Sequence, residues 1–197
     1  MHLVAGETER IDDGAAAVDL GQSPGDIVLI SSADSELAAF AAAARRAPDG
    51  PSLRLVNFMR LGHPYSVDLY AEKTLSTAKL VVLRLIGGAG YWPYGLDVLR
   101  ALARGGGPKL IVVPADARWD DSLAAWSTID EADCRAFWDA AVAGSPENSD
   151  RALALLRHLV GHGERPSPAA PLPVAGIRHE SDTIGSRPLA VIVFYRA

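Results

Sequence analysis

The residues best suited to bind a ligand follow one another in the middle of the chain. The set consists of Arg84, Gly87, Gly88, Tyr91, Trp92 and Tyr94. A guanidinium group pairs bidentately with a carboxylate, and aromatic rings offer stacking faces for a flat ring system. The same residues also fit a packing role, because aromatic side chains at the ends of elements commonly anchor packing or form interfaces. We favour packing over direct ligand contact, and the set remains the best candidate binding site.

The glycine turn also resembles the start of a phosphate-binding loop. Gly88 and Gly90 match the first half of G-x-G-x-x-G, and Asp116 ends the next apolar run, where an acid could bind a ribose. However, the third glycine position is Pro93, which has no N–H group to offer a phosphate. The sequence contains no G-x-x-x-x-G-K-[ST] motif, so ATP hydrolysis by this chain is not expected. An independent nucleotide- or flavin-binding domain is the alternative function.

Candidate residues for metal binding and catalysis are few. His158 and His162 lie four positions apart on a predicted helix and could both reach one metal ion. No third ligand is evident, and imidazole groups also suit the negative end of a helix, which is the role we expect. Cys134 is the single cysteine, which excludes an internal disulfide, and its neighbours predict a place on a buried helix face. We assign no catalytic residue and no metal ligand.

Four apolar runs, each followed by a helical pattern, predict the elements that position the candidate site. The runs cover residues 26–31, 53–58, 79–86 and 109–114. Continuous apolar runs that alternate with helices are typical of strands buried on both faces. The pattern predicts an α/β fold with a doubly wound, mostly parallel sheet, flavodoxin-like or Rossmann-like, with helices on both faces. The candidate site follows the third strand, at the edge where such folds bind ligands. Residues 2–5 predict an additional edge strand.

Polar residues predict where several helices begin. Asp34 or a neighbouring serine, and further along the chain Ser66 and Ser145, precede amphipathic patterns and are suited to accept the first free N–H groups of a helix. Thr128 and Glu131 match the spacing of a capping box.

The composition changes after the last predicted helix. Prolines at 166, 168, 171 and 173 fix the backbone and favour an extended, semi-rigid connection. We therefore predict an α/β domain over residues 1–163, a linker over 164–187 and the first strand of a following domain over 188–197. That last strand could instead return to the same sheet, but proline-rich connections usually separate units.

Length and charge exclude several classes of partner. The chain has 197 residues, 49% hydrophobic content and a net charge of -5, as an ordinary globular domain does. Lys and Arg are scattered and form no basic stripe, so nucleic acid is not an expected partner. No apolar run approaches the roughly 18 residues that a membrane-spanning helix needs. We expect a cytoplasmic protein that binds no membrane.

Three segments resemble the N-terminal region of the aerobic cobaltochelatase large subunit, the CobN family, which is related to the magnesium chelatase large subunit. They read AAAVDLGQSPGDIV at 15–28, HPYSVDLYAEKT at 63–74 and RLIGGAGYWPYG at 84–95. Their order and spacing match the family as well. The ending RPLAVIVFYR at 187–196 resembles the entry to the family's next domain.

The resemblance implies a part in cobalamin biosynthesis. In this family the large subunit holds hydrogenobyrinic acid a,c-diamide and cobalt, while an AAA+ ATPase subunit and its companion subunit form the rest of the complex. The family's large subunits are several times longer, and their presumed chelation residues lie far downstream. The resemblance therefore implies a substrate-head or scaffold module that binds no cofactor and is inactive alone. Cobalt and ATP with Mg²⁺ belong to the full complex, and the corrinoid is the expected substrate.

Overall fold

Four strands form one all-parallel sheet in the computed structural model, which describes residues 16–171. The strands are β1 (Ile27–Ser31), β2 (Leu53–Asn57), β3 (Leu80–Leu85) and β4 (Lys109–Pro114), in the order β2-β1-β3-β4. Ile27 pairs with Leu53 on one side and with Leu80 on the other. All four predicted strands are confirmed within one residue at each end. Because the strands are parallel, their carboxyl ends meet at one edge of the sheet.

Helices cover both faces of this sheet, which confirms the predicted doubly wound α/β class. They are α1 (Asp34–Arg46), α2 (Pro64–Tyr70), α3 (Pro93–Arg104), the single turn α4 (Asp121–Ala124), α5 (Glu131–Ala143) and α6 (Pro146–Leu159). Short 3₁₀ turns follow β2 at Phe58–Leu61 and β3 at Ala89–Tyr91, and α2 continues into a π turn at Ala71–Leu75. Both 3₁₀ turns lie at the carboxyl edge of the sheet.

Side chains of each strand alternate between two hydrophobic clusters. In β1, Val28 and Ile30 pack with α2 and α3, whereas Ile27 and Leu29 pack with α1, α5 and α6. Cys134 lies buried in the second cluster, as predicted. Burying an aliphatic side chain of this size contributes about 1.5–3 kcal/mol. The two clusters therefore hold the sheet between the helical layers.

The predicted starts of the helices have mixed outcomes. Ser145 caps α6, because its hydroxyl accepts a hydrogen bond from the Asn148 N–H at 3.2 Å. The predictions for Asp34 and Ser66 are wrong. Helix α1 has no side-chain cap, and Asp34 instead accepts from the Asn57 amide at 2.8 Å. Pro64 starts α2 two residues before Ser66, which is buried and accepts from the Val18 N–H at 2.7 Å.

The predicted capping box at Thr128 and Glu131 is also wrong. Helix α5 begins at Glu131, so Thr128 is too far upstream to cap it. The Thr128 hydroxyl accepts a hydrogen bond from the Leu110 N–H at 2.8 Å, and the Ser127 hydroxyl accepts one from the Val112 N–H at 2.8 Å. These hydroxyl groups satisfy β4, an edge strand whose N–H groups would otherwise be open to another strand.

The first part of the predicted linker packs against the layer formed by α5 and α6. Ala169 packs against the cluster formed with α5 and α6, and Ala170 exchanges two backbone hydrogen bonds with the Asn148 side chain, at 2.8 and 2.9 Å. The strand predicted at residues 2–5 and the domain start predicted at 188–197 lie outside the described residues. The domain boundaries therefore remain predictions. Among residues 16–171, no helix is long and apolar enough to cross a membrane.

Candidate functional site

The glycine turn after β3 depends on backbone angles that favour glycine. Gly87 has a φ of 84° and Gly88 a φ of 75° with ψ of -175°, and the turn closes with a 3.1 Å hydrogen bond from the Tyr91 N–H to the Gly88 carbonyl. The second combination is essentially limited to glycine. A Cβ atom on Gly87 would also come within 3.3 Å of the Tyr91 ring. The turn therefore places Tyr91 over the end of β3.

Trp92 anchors this turn to the turn that follows β2. Its ring is buried and stacks on Phe58, with centroids 5.6 Å apart and planes inclined by 30°. The indole N–H donates to the Leu61 carbonyl at 3.3 Å. Stacking and a satisfied N–H make a tryptophan a stable anchor. The connections after β2 and β3 are therefore held together at the carboxyl edge.

Tyr91 and Tyr94 remain at the surface beside this anchor. The Tyr91 ring meets Phe58 edge-on at 6.0 Å. The Tyr94 hydroxyl donates to Asp68 at 2.7 Å, and this hydrogen bond raises the pKa of Tyr94. Both rings are thus exposed on one side and held on the other, which is the arrangement that a stacking surface requires.

Arg84 lies on the opposite face of the sheet from Trp92. Its Nε lies 2.6 Å from a carboxylate oxygen of Glu36 in α1, and only 3% of its side chain is exposed. Glu36 also accepts a hydrogen bond from the Ser31 hydroxyl at 2.6 Å. The guanidinium charge is therefore already compensated inside the fold. A ligand carboxylate would have to compete with Glu36 for it.

The predicted site residues are divided between different surroundings. Arg84 lines a cavity of about 730 Å³ between β3 and helices α1 and α5. Gly87 and Gly88 line another cavity, of about 510 Å³, on the side of β4. Trp92 lies in the core, and Tyr91 and Tyr94 lie on the outer surface. The structure brings the aromatic residues and glycines together along one edge but directs Arg84 elsewhere.

The cavity beside the glycine turn is acidic. Its walls include Asp116, Asp120 and Asp121 together with Arg118. Asp120 accepts hydrogen bonds from Ser122, and these lower the pKa of Asp120, so it stays ionised. Adjacent carboxylates repel a phosphate group. The electrostatics of this cavity therefore disfavour a nucleotide or a flavin phosphate.

Sequence reasoning missed the partners that organise the site. Glu36, Phe58, Leu61 and Asp68 contact site residues from other parts of the chain. Phe58 offered the one accessible signal among these four residues, since it is the last residue of a predicted strand and so lies at the carboxyl edge. The other contacts depend on how the helices pack and have no local sequence pattern.

The two histidines do not share a helix face. Helix α6 ends at Leu159, so His158 lies in its last turn and His162 lies beyond it. His158 Nδ1 instead contacts the Gly163 carbonyl oxygen at 3.1 Å. Residues 16–171 contain no group of three or more His, Cys, Asp or Glu side chains placed to hold a metal ion.

Comparison with known proteins gives two relatives that carry the same name. The aerobic cobaltochelatase subunit CobN of a Sinorhizobium species is 42% identical over 177 residues, which is 90% of this chain and 14% of that protein. The CobN of Pseudomonas aeruginosa is 37% identical over 211 aligned residues, which is 100% of this chain and 17% of that protein. The chain is homologous to CobN subunits over 90% or more of its own length. No protein-family model matches it.

A solved structure confirms the fold of this part of CobN. The catalytic subunit of cobaltochelatase from Mycobacterium tuberculosis matches 79% of this chain and 12% of its own length, with a TM-score of 0.59 and 24% identity. At that identity the match supports the fold alone. The chain spans about one sixth or less of the length of the relatives that it matches.

Two of the segments that carry the CobN resemblance contact each other. Gln22 accepts a 2.5 Å hydrogen bond from the Tyr70 hydroxyl, and its carbonyl accepts one from the Thr74 hydroxyl at 2.8 Å. Asp19 forms an ion pair with Lys73 at 2.5 Å. The segment before β1 is therefore fixed along α2. The two matching segments therefore share a structural role in the fold of this chain.

Proposed function

We propose that this chain is an α/β module of an aerobic cobaltochelatase large subunit and contributes a substrate head or scaffold. Homology to two CobN subunits along most or all of the chain supports this role. The complete enzyme inserts cobalt into hydrogenobyrinic acid a,c-diamide during cobalamin biosynthesis, and ATP hydrolysis with Mg²⁺ drives the insertion. An AAA+ ATPase subunit and its companion subunit are the proposed partners, in the cytoplasm. We assign no catalytic or metal-binding residue to this module.

We further propose that the corrinoid lies against the edge formed by Gly87, Gly88, Tyr91 and Tyr94. The observation that carries this proposal is the pair of exposed tyrosine rings fixed beside the buried Trp92. Stacking on a flat conjugated macrocycle requires ring faces that are held in place before binding. Trp92 supports the surface from beneath rather than by contact. Arg84 acts through its ion pair with Glu36, which fixes the end of β3.

The test is a titration of the purified chain with hydrogenobyrinic acid a,c-diamide, followed by tryptophan fluorescence. We expect saturable quenching, with an affinity that falls about ten-fold in the variant Tyr91→Ala/Tyr94→Ala, as expected for the loss of aromatic stacking worth roughly 1–1.5 kcal/mol. Arg45→Ser on the exposed end of α1 is the matched control and should leave the affinity unchanged.

Two results would change this assignment. Equal quenching of the wild type and the double tyrosine variant would place the corrinoid elsewhere on the chain. Saturable binding of flavin mononucleotide, but not of the corrinoid, would instead support the independent flavin-binding function. Quenching in Trp92→Phe identifies whether Trp92 is the reporter among the four tryptophans.

A further inference from the structure

The large apolar side chains that stay exposed are confined to one edge of the fold. Among the described residues they are Met59 at 55%, Tyr65 at 56%, Ile86 at 47%, Tyr91 at 57% and Tyr94 at 42% exposure. Each lies in a connection that follows β2 or β3, and therefore at the carboxyl edge of the sheet. Exposed apolar residues that share one edge favour a binding surface, whereas residues scattered singly over a protein do not.

The opposite edge of the sheet has a different character. There Asp26 accepts hydrogen bonds from the Ser52 N–H and hydroxyl at 2.9 and 2.7 Å, and Lys79 lies 3.0 Å from the same carboxylate. These groups are polar and mutually satisfied. The exposed apolar area is thus a property of the carboxyl edge and not of strand ends in general.

The exposed residues on the side of β2 belong to fixed elements. The Met59 N–H donates to the Asn57 side chain at 3.0 Å, and the Trp92 hydrogen bond to Leu61 holds the same turn. Tyr65 lies in the first turn of α2. A surface that is ordered before binding loses little conformational entropy when a partner docks.

We propose that Met59, Tyr65 and Ile86, here named the docking surface, bind another domain of the same CobN subunit. This inference rests on the proposed function, and it leaves Tyr91 and Tyr94 to the corrinoid at the flank of the interface. The corrinoid then lies in a crevice between two domains, where ligand sites commonly occur.

The length of the relatives indicates what binds to the docking surface. More than four fifths of each CobN relative lies outside the part that matches this chain. A domain on the same polypeptide docks at a high effective concentration, so a modest apolar surface suffices to hold it. Interfaces between domains are also more polar than obligate ones, which suits a tyrosine at their margin.

The experiment compares two proteins by hydroxyl-radical oxidation without any corrinoid. One is the isolated 197-residue chain, and the other is the Pseudomonas aeruginosa subunit with its matching segment replaced by these residues. We expect oxidation of Met59 and Tyr65 to slow about five-fold or more in the larger protein, as for side chains that become buried at an interface. Trp138, on the opposite face of the sheet, is the internal control.

A second measurement tests the docking surface without the chimera and serves if the chimera does not fold. The isolated chain is added to the relative's subunit lacking the matching segment, and binding is measured by sedimentation. We expect binding that weakens about ten-fold or more in Met59→Ser/Tyr65→Ser, as for truncated interface anchors, and that stays unchanged in Arg45→Ser.

The outcomes separate the docking surface from the corrinoid site. Unchanged oxidation of Met59 and Tyr65 in a folded chimera overturns the docking surface, as does the absence of binding by a folded chain. Protection that appears only after corrinoid is added also overturns it and extends the corrinoid contact to these residues. Protection without corrinoid supports the interface even if the separate fluorescence titration shows no corrinoid binding.

Discussion

The indole ring of Trp92 lies directly against the backbone of Gly95. A Cβ atom built on Gly95 would lie 2.2 Å from ring carbon Cε2, far inside van der Waals contact. Both residues belong to the start of α3, where Pro93 is the first helical residue. The missing side chain at Gly95 lets the ring fold back under the helix and reach Phe58. A glycine inside a helix is therefore needed for the anchor of the candidate site.

We predict that Gly95→Ala lowers the free energy of unfolding by about 1–3 kcal/mol, as overpacking does. Helix propensity alone predicts the opposite sign, because alanine is favoured over glycine in a helix by about 1 kcal/mol. Urea denaturation measures the change, and the emission of Trp92 should shift to longer wavelength. Gly90→Ala is the control, because a Cβ atom there would meet nothing within 4 Å in the described residues apart from its two chain neighbours. A stabilised Gly95→Ala variant would contradict the clash.

The buried ion pair between Glu36 and Arg84 gives a second prediction. Glu36→Leu should cost about 3–5 kcal/mol, because it removes the carboxylate that lies 2.6 Å from the buried Arg84 guanidinium group. The double variant Glu36→Leu/Arg84→Met should recover most of that loss. Chemical denaturation of the single and double variants forms the thermodynamic cycle.

The surface pair Arg46 and Asp150 is the matched comparison. Its side chains are 43% and 45% exposed, and their closest contact is also 2.6 Å. Asp150→Asn should therefore cost less than about 1 kcal/mol. Equal losses for Glu36→Leu and Asp150→Asn, or strictly additive single variants, would show that burial does not decide the strength of the Glu36 pair.

The sequence predicted the elements better than it predicted their partners. The four strands are runs of buried aliphatic residues, and this local property makes their positions readable. Helix starts depend on competing contacts, as Thr128 shows by bonding to β4 instead of capping α5. Arg84 and Trp92 were expected to act together because they are close in sequence. Strand alternation instead directs Arg84 toward α1, where Glu36 is its partner. Trp92 lies beyond the glycine turn at the start of α3, on the other face of the sheet, and bonds to Leu61.

A pH-dependent prediction concerns Asp26 at the amino edge of the sheet. Hydrogen bonds from Ser52, together with Lys79, hold the pKa of Asp26 well below its usual range. A carboxyl group whose native pKa lies below its unfolded value adds stability above the unfolded pKa of about 3.9, and this stability is lost as the pH falls through the native pKa. Asp26 therefore stabilises the fold at neutral pH.

Asp26→Asn should consequently reduce the free energy of unfolding by about 1–2 kcal/mol at neutral pH, the size of a partly exposed charged hydrogen bond. The difference from the wild type should shrink as the pH falls below about 4. Thermal or urea denaturation across this range measures both effects. A difference that stays constant with pH would show that the charge of Asp26 does not contribute.

The last prediction concerns β4, which is an edge strand of the sheet that residues 16–171 form. The Ser127 and Thr128 hydroxyl groups accept the N–H groups of Val112 and Leu110, and the Thr128 N–H returns a 2.9 Å hydrogen bond to the Leu110 carbonyl. Removing both hydroxyl groups takes away the side-chain acceptors of the Leu110 and Val112 N–H groups in this apolar edge strand. Such an edge pairs readily with a second chain.

Ser127→Ala/Thr128→Val should therefore lose about 1–3 kcal/mol per unsatisfied donor and also self-associate. Analytical ultracentrifugation measures the association, which should rise with protein concentration, and urea denaturation measures the stability. Ser76→Ala is the control, because its hydroxyl donates to the exposed Glu72 carbonyl at the end of the π turn, away from β4. A stable, monomeric double variant would show that water or a neighbouring backbone group satisfies β4 as well as these hydroxyl groups do.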